Sequence, residues 1–271
     1  MTDAVDNGGK YTLKLAHIIY VIVAMVAVIA VVFIIMYLIP SGSNVVAVGN
    51  GWEQVTANKP FTVGNSLYVT FIGIEGCKYC AAERYALFDA LSNFGNWTYS
   101  GKIVTLGELN YSNYSANPGP NTLFYQANEG GWTINLLDKN LAYSSNYISF
   151  SSAETLDNAN NPLQTLNAIQ TSYIQKYDPS DSVPFTVIGG NFFEIGAGGS
   201  MAPNGVPITL SSGGTLTAAN MIDEFNIEGS FINSAINTEA DYISAFICHD
   251  ISNSAPVCST ASVRSLENNI K

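Results

Sequence analysis

Between Leu67 and Gly95 the chain reads LYVTFIGIEGCKYCAAERYALFDALSNFG, and its periodicity changes within a few residues. Leu67 to Ile74 is a run of β-branched and aromatic residues, which predicts a buried strand. After Cys80, the residues Ala81, Ala82, Tyr85, Leu87, Phe88, Ala90 and Leu91 recur at helical spacing as far as Gly95, read as a C-cap. Between the two stands Cys77-Lys78-Tyr79-Cys80. A dithiol therefore sits where a strand hands over to a helix.

The first turn of a helix presents unpaired N–H groups and the positive end of the macrodipole. A thiolate at Cys77 is stabilised there, which lowers its pKa and makes it an attacking group near neutral pH. On this reading Cys77 is the exposed nucleophile and Cys80 the buried resolving thiol. Two other readings compete. One is half of a zinc site, which needs a second cysteine pair at matching spacing; Cys248 and Cys258, with His249 beside the first, are spaced unlike a zinc knuckle. The other is a static Cys77–Cys80 disulfide. Lys78 would help hold a thiolate and Tyr79 would offer a flat apolar contact to substrate, or both are solvated residues of the helix start. Glu75 and Glu83 are either proton carriers for the exchange or ordinary surface charges.

The formal net charge of -11 argues against nucleic acid, whose phosphates require a basic surface. Residues 1–16 are short and polar. From His17 to Ile39 the chain is almost wholly apolar, and about 23 residues rising about 1.5 Å each span roughly 35 Å, enough for one transmembrane helix through the lipid bilayer. Lys10 and Lys14 precede it and no lysine follows until Lys59. The positive-inside rule then puts the N-terminus in the cytoplasm and the rest outside the cell membrane. A cleaved secretory signal would have a shorter apolar core. A filament subunit with an apolar N-terminal helix needs no dithiol downstream.

Residues 40–60 read as a linker with turn signals at Ser41-Gly42-Ser43 and Gly49-Asn50-Gly51. Residues 61–271 are then the extracytoplasmic domain. Asn96, Asn110 and Asn113 head glycosylation sequons. Four cysteines in two close pairs suit an oxidising compartment. Lys102 to Leu109 is expected to be a second strand completing a strand-helix-strand unit, and residues from about 110 to 160 an insertion, with short strands at Trp132–Leu137 and Ala142–Phe150. Asn161 to Tyr177 has the spacing of an amphipathic helix. Asp181 to Gly190 contains Val183-Pro184 before a strand that ends in a glycine turn. Thr215 to Phe225 and Ser230 to Ile247 read as helices of a C-terminal extension covering about 215–271. A structural disulfide between Cys248 and Cys258 would contribute roughly 2 to 3 kcal/mol by restricting the unfolded chain.

Strand, CxxC, helix and strand, followed by helix, X-Pro-strand and strand, resemble the thioredoxin superfamily over about Leu67 to Phe193. The resemblance implies an α/β thioredoxin-like fold with an insertion and a helical C-terminal extension, preceded by one transmembrane helix. It implies that Pro184 is a cis proline facing the dithiol and that Val183 offers backbone hydrogen bonds to a bound peptide. The runs Cys80-Ala81-Ala82-Glu83-Arg84, Leu91-Ser92-Asn93-Phe94-Gly95, Ile247-Cys248-His249 and Val257-Cys258-Ser259 are similar to an uncharacterised family of membrane-anchored archaeal and actinobacterial proteins, one of the domains of unknown function. No proline stands between the cysteines, as in thioredoxins, and no histidine, as in strongly oxidising relatives. The direction of exchange stays open.

The function expected is dithiol–disulfide exchange with exported protein substrates through Cys77 and Cys80, reset by a membrane redox partner and requiring no metal or organic cofactor. The alternative is a non-catalytic accessory or structural subunit of a larger membrane complex.

Overall fold

A computed structural model describes residues 45–56, 59–106, 123–126, 132–200 and 224–270. The expected membrane span at 17–39, the sequons at Asn110 and Asn113, and most of the helix expected at Thr215 to Phe225 lie outside these residues. Among the described residues no helix is long and apolar enough to cross a membrane.

Mixed α/β layering follows from one strand. The strand β4 (Ser66–Gly73) is buried along nearly its whole length. Its side chains alternate between two apolar clusters, as the period of two requires. Leu67, Val69 and Phe71 join the cluster that holds α1 (Lys78–Ser92) and α3 (Phe231–Asp250), whereas Ile72 joins Phe185, Val187 and Phe193 under α2 (Ala168–Tyr177). On that second face Gln170 donates to Thr70 Oγ1 at 3.1 Å, and Tyr177 stacks on Phe193 with centroids 4.5 Å apart. Helices thus cover both faces of the sheet.

Seven strands make up this sheet among the described residues. In spatial order they are β1 (Val45–Gly49), β2 (Trp52–Val55), β12 (Phe192–Ile195), β11 (Phe185–Ile188), β4 and β10 (Ile148–Glu154), with β3 (Thr62–Val63) paired to β4. β10 runs parallel to β4, with Ile148 opposite Leu67 and Glu154 opposite Gly73; β11 runs antiparallel to β4, with Phe185 opposite Ile72.

Three expectations are corrected. The strand that completes the unit begun by β4 and α1 is β10, not Lys102 to Leu109. Lys102–Val104 is instead β6, hairpin partner of β5 (Gly95–Tyr99) in a small sheet closed by β9 (Leu141–Ser145). β10, with buried Ala153 and Glu154 at its end, carries the core contacts that the partly exposed β6 lacks. The insertion therefore precedes Ile148 and does not run on to 160. Secondly, the linker expected at 40–60 contains β1 and β2, and Trp52 of β2 is buried against Phe246 with ring centroids 5.0 Å apart. Thirdly, α1 ends at Ser92 with Asn93 as its C-cap, and Gly95 belongs to β5; a Cβ there would run into the Ser144 carbonyl of β9, so the residue serves a close strand approach.

The insertion packs on α1. Trp97 of β5 stacks on Phe88 with centroids 4.8 Å apart and donates from its indole to the Phe88 carbonyl at 3.0 Å. In the hairpin of β7 (Phe124–Gln126) and β8 (Trp132–Ile134), the Thr133 hydroxyl donates to the Ala81 carbonyl at 2.9 Å. The C-terminal helices are equally integral. Ile236, Ile243, Phe246 and Ile247 of α3 are fully buried, and α4 (Ala261–Glu267) adds Val263.

One buried ion pair ties the layers. Arg84 of α1 donates from Nε and Nη2 to both carboxylate oxygens of Glu154 at 2.8 and 2.9 Å, and Nη2 also donates to the Ile74 carbonyl at 2.9 Å. Replacing Arg84 by Met strands a buried carboxylate and should lower unfolding free energy by about 3–5 kcal/mol. Adding Glu154→Leu should recover most of it. Urea denaturation of the two variants reads both numbers, and a single-variant loss under about 1 kcal/mol would contradict this role for the pair.

Candidate functional site

β4 ends at Gly73, and four residues later Cys77 is the N-cap of α1, with extended backbone at φ -77° and ψ 126°. Its Sγ accepts from the Cys80 amide at 3.3 Å, which satisfies one of the free donors of the first turn. Both cysteines are free thiols. A hydrogen bond from the Cys80 thiol brings the pKa of Cys77 down to about 7. The Cys80 and Tyr79 amides and the Arg84 guanidinium act in the same direction, against the opposing effect of burial. Burial, chiefly, pushes Cys80 well above the usual thiol range, and its bond to Cys77 adds to this. The pair is therefore split: one thiol ionises near neutrality and its neighbour keeps its proton.

Cys77 is not the exposed residue that the sequence suggested; it retains 6% of its surface and Cys80 none. The insertion reaches the same turn, where Thr133 of β8 is hydrogen-bonded to the Ala81 carbonyl of α1. Lys78 and Tyr79 are half-buried, and the Lys78 ammonium lies 5.0 Å from the Tyr79 ring centroid. The cation acting on the thiol is Arg84, a residue that sequence reasoning passed over. Its signal was available: an arginine inside the apolar run AAERYALF has to find an anion when that run is buried.

The Val183–Pro184 peptide is cis. Phe185, which follows Pro184, is opposite Ile72, so the Val183–Pro184 bend lies at the end of the sheet where β4 leads toward Cys77. This loop thus flanks the turn that leads into Cys77, and Val183, Ile74 and Tyr79 pack against the cluster containing both cysteines. The Pro184 carbonyl accepts from the Gly196 amide at 2.8 Å. Glu75 is half-buried; burial raises its pKa, although the Asn158 amide donates to its Oε2 at 3.1 Å.

The other sequence-stated positions lie elsewhere. Cys248 and Cys258 form a disulfide at the end of α3, which excludes them as partners of Cys77 and Cys80 in a zinc site. That end of α3 lies by Leu67 and Gly189, where Asp250 approaches both, at the opposite end of β4 from the dithiol. Asn96 is exposed on β5. Glu83 is no surface charge: it is fully buried in α1, and burial followed by the nearby Glu239 charge drives its pKa well upward.

The class defined by these observations is a mixed α/β domain with a dithiol at a strand-to-helix junction, beside a cis-proline loop. A family model described as a domain of unknown function (DUF929) matches residues 54–249, well over half of the 271 residues, and the chain belongs to that family. No curated protein matches it, and neither does any solved structure.

Because only the thiolate attacks, alkylation of Cys77 should show its half-maximal rate near pH 7, where an ordinary thiol would not reach it until about pH 8.5. Cys80→Ala removes the leading hydrogen bond and should move the midpoint upward. Rates of iodoacetamide modification across a pH series test both shifts, and a wild-type midpoint at the ordinary thiol value would contradict the site geometry.

Proposed function

We propose that this chain is a membrane-anchored thiol–disulfide oxidoreductase with a thioredoxin-like domain outside the cell, anchored by residues 17–39 and acting on exported proteins. The observation that carries the reading is the split dithiol at the start of α1, with Cys77 as N-cap lowered to about 7 and Cys80 raised. The order of β4, α1 and parallel β10, then α2 and the antiparallel pair β11 and β12, supports it, as does the cis Val183–Pro184 loop beside the turn.

In this mechanism the Cys77 thiolate attacks one sulfur of a substrate disulfide. A mixed disulfide forms and the other substrate sulfur leaves as a thiolate that takes up a proton. Cys80 then loses its proton and attacks Cys77 Sγ, which closes the Cys77–Cys80 disulfide and frees the second substrate thiol. Two electrons pass to the substrate; run backwards, the same steps oxidise it. Tyr79, Lys78 and the backbone of Val183 would contact the bound peptide. When the pair reduces a substrate, a membrane dithiol donor would supply the two electrons that reopen the Cys77–Cys80 bond; when it oxidises one, a membrane partner linked to quinones would accept the two electrons and re-form that bond.

The 6% exposure of Cys77 favours a second reading, in which the scaffold serves as an accessory subunit of a membrane complex and a Cys77–Cys80 bond is inert.

Covalent trapping separates the two. Full-length protein carrying Cys80→Ser, expressed in its native membrane, should accumulate mixed disulfides with exported proteins that reducing agent releases, at least about tenfold above wild type. Cys77→Ser should trap none. If the Cys80→Ser variant traps no more than Cys77→Ser, the exchange reading fails and the subunit reading stands.

A further inference from the structure

Three glutamates far apart in sequence meet inside the domain. Glu83 comes from α1, Glu194 from β12 and Glu239 from α3. None is more than 1% exposed, and one carboxylate oxygen of each lies within 4.8 Å of those of the other two. Bare carboxylates this close and this deep repel one another and forgo their hydration.

The donors supplied fall short of what the six oxygens require. Glu239 is served by the Trp52 indole at 2.6 Å and by the Asn50 side-chain amide. Glu83 accepts from the Thr186 hydroxyl at 3.3 Å and from the Gly198 amide. Among the described residues, however, neither oxygen of Glu194 and not the Oε2 of Glu83 accepts any hydrogen bond. The nearest arginine in sequence, Arg84, commits its guanidinium to Glu154.

The walls are shaped to this cluster. A Cβ on Gly51 would stand 2.7 Å from Glu194 Oε1, and one on Gly198 would fall directly on Glu239 Oε2. The turn Gly49-Asn50-Gly51 is itself clamped, with Asn50 in the left-handed region at φ 51°, its carbonyl accepting from Gly199 at 2.7 Å and its Oδ1 from Ser200 at 2.7 Å. Glycine at 51 and 198 leaves room for the carboxylates of Glu194 and Glu239.

We propose that Glu83, Glu194 and Glu239 form a binding site for a divalent cation, and that the cation is Ca2+. An all-oxygen, carboxylate-rich donor set selects hard cations over Zn2+ or Cu2+. Ca2+ takes oxygens at about 2.3–2.6 Å, so its ligands can stand up to about 5 Å apart, and three oxygens within 4.8 Å of one another are close enough to share one such ion. Mg2+ requires about 2.0–2.1 Å and keeps several waters, which a site walled by Gly51, Gly198 and Trp52 does not favour. The unserved oxygens of Glu194 and Glu83 supply the free lone pairs. Binding joins α1, which begins at the dithiol, to β12 and α3; it stands independently of the exchange reading. In the absence of the cation, burial raises all three carboxyls, Glu239 to about 8, and protons take its place.

The test uses chelator-stripped full-length protein in detergent, titrated over a series of pH values because burial raises all three carboxyls and protons compete with the cation. Calorimetric titration with CaCl2 should show one equivalent bound, with Mg2+ at least about tenfold weaker. Glu194→Gln should weaken Ca2+ by at least tenfold. Tb3+ replaces Ca2+ as a luminescent probe, and the Trp52 indole bonded to Glu239 should sensitise it. Trp52→Phe should then extinguish tryptophan-excited emission while one Ca2+ still binds. This arm decides the matter if Glu194→Gln fails to fold. Absence of Ca2+ heat together with Tb3+ emission unaffected by Trp52→Phe would overturn the proposal and leave three carboxylic acids sharing protons.

Discussion

The rest of the structure depends on how the charge of Arg84 is satisfied. An unpaired guanidinium at this depth would cost several kcal/mol, and the fold answers with a bidentate carboxylate and a backbone carbonyl at 2.8–2.9 Å. The three partners belong to three segments: α1, the end of β10 and the turn after β4. Fixing them together fixes the path of the chain from Gly73 to Cys77. It also leaves a positive charge near both sulfurs, which favours the thiolate form of each. Packing and thiol electrostatics thus come from one side chain.

Much of the local structure was legible. Leu67 to Ile74 announced a buried strand through its β-branched and aromatic content, the CxxC marked the junction, and Ser230 began a helix capped by its own hydroxyl on Asn233 N. What escaped were pairings across distance. The choice of Ile148–Glu154 over Lys102–Val104 as the parallel neighbour of β4 is decided by burial in the folded core, and a window of sequence carries no such information. β1 and β2 hid behind a glycine-rich turn that also reads as linker. The cluster of Glu83, Glu194 and Glu239 escaped for the same reason, since its members come from three separate elements of the chain and each alone reads as a surface charge. Even the exposure of Cys77 was misjudged, because its burial is decided by the packing of the folded core and not by the local run of sequence.

These misses bear on function. The dithiol carries its chemical asymmetry, yet Cys77, the thiol with the lowered pKa, is nearly enclosed. An exchange enzyme built this way would admit a narrow set of partners, reaching Cys77 past Tyr79 and the Val183–Pro184 loop. The disulfide between Cys248 and Cys258, at the far end of β4, has no part in that chemistry; it holds the end of α3 against the segment before α4.

If the Cys77–Cys80 pair exchanges with substrates, its reduction potential lies in the range of labile disulfides. Full-length protein equilibrated against a glutathione series and quenched with acid gives the value. A potential above about -230 mV is the expected result, because a thiolate stabilised at the start of α1 favours the reduced state. A value below about -300 mV would mean a bond that ordinary thiols do not open, and would rule out exchange through Cys77 and Cys80.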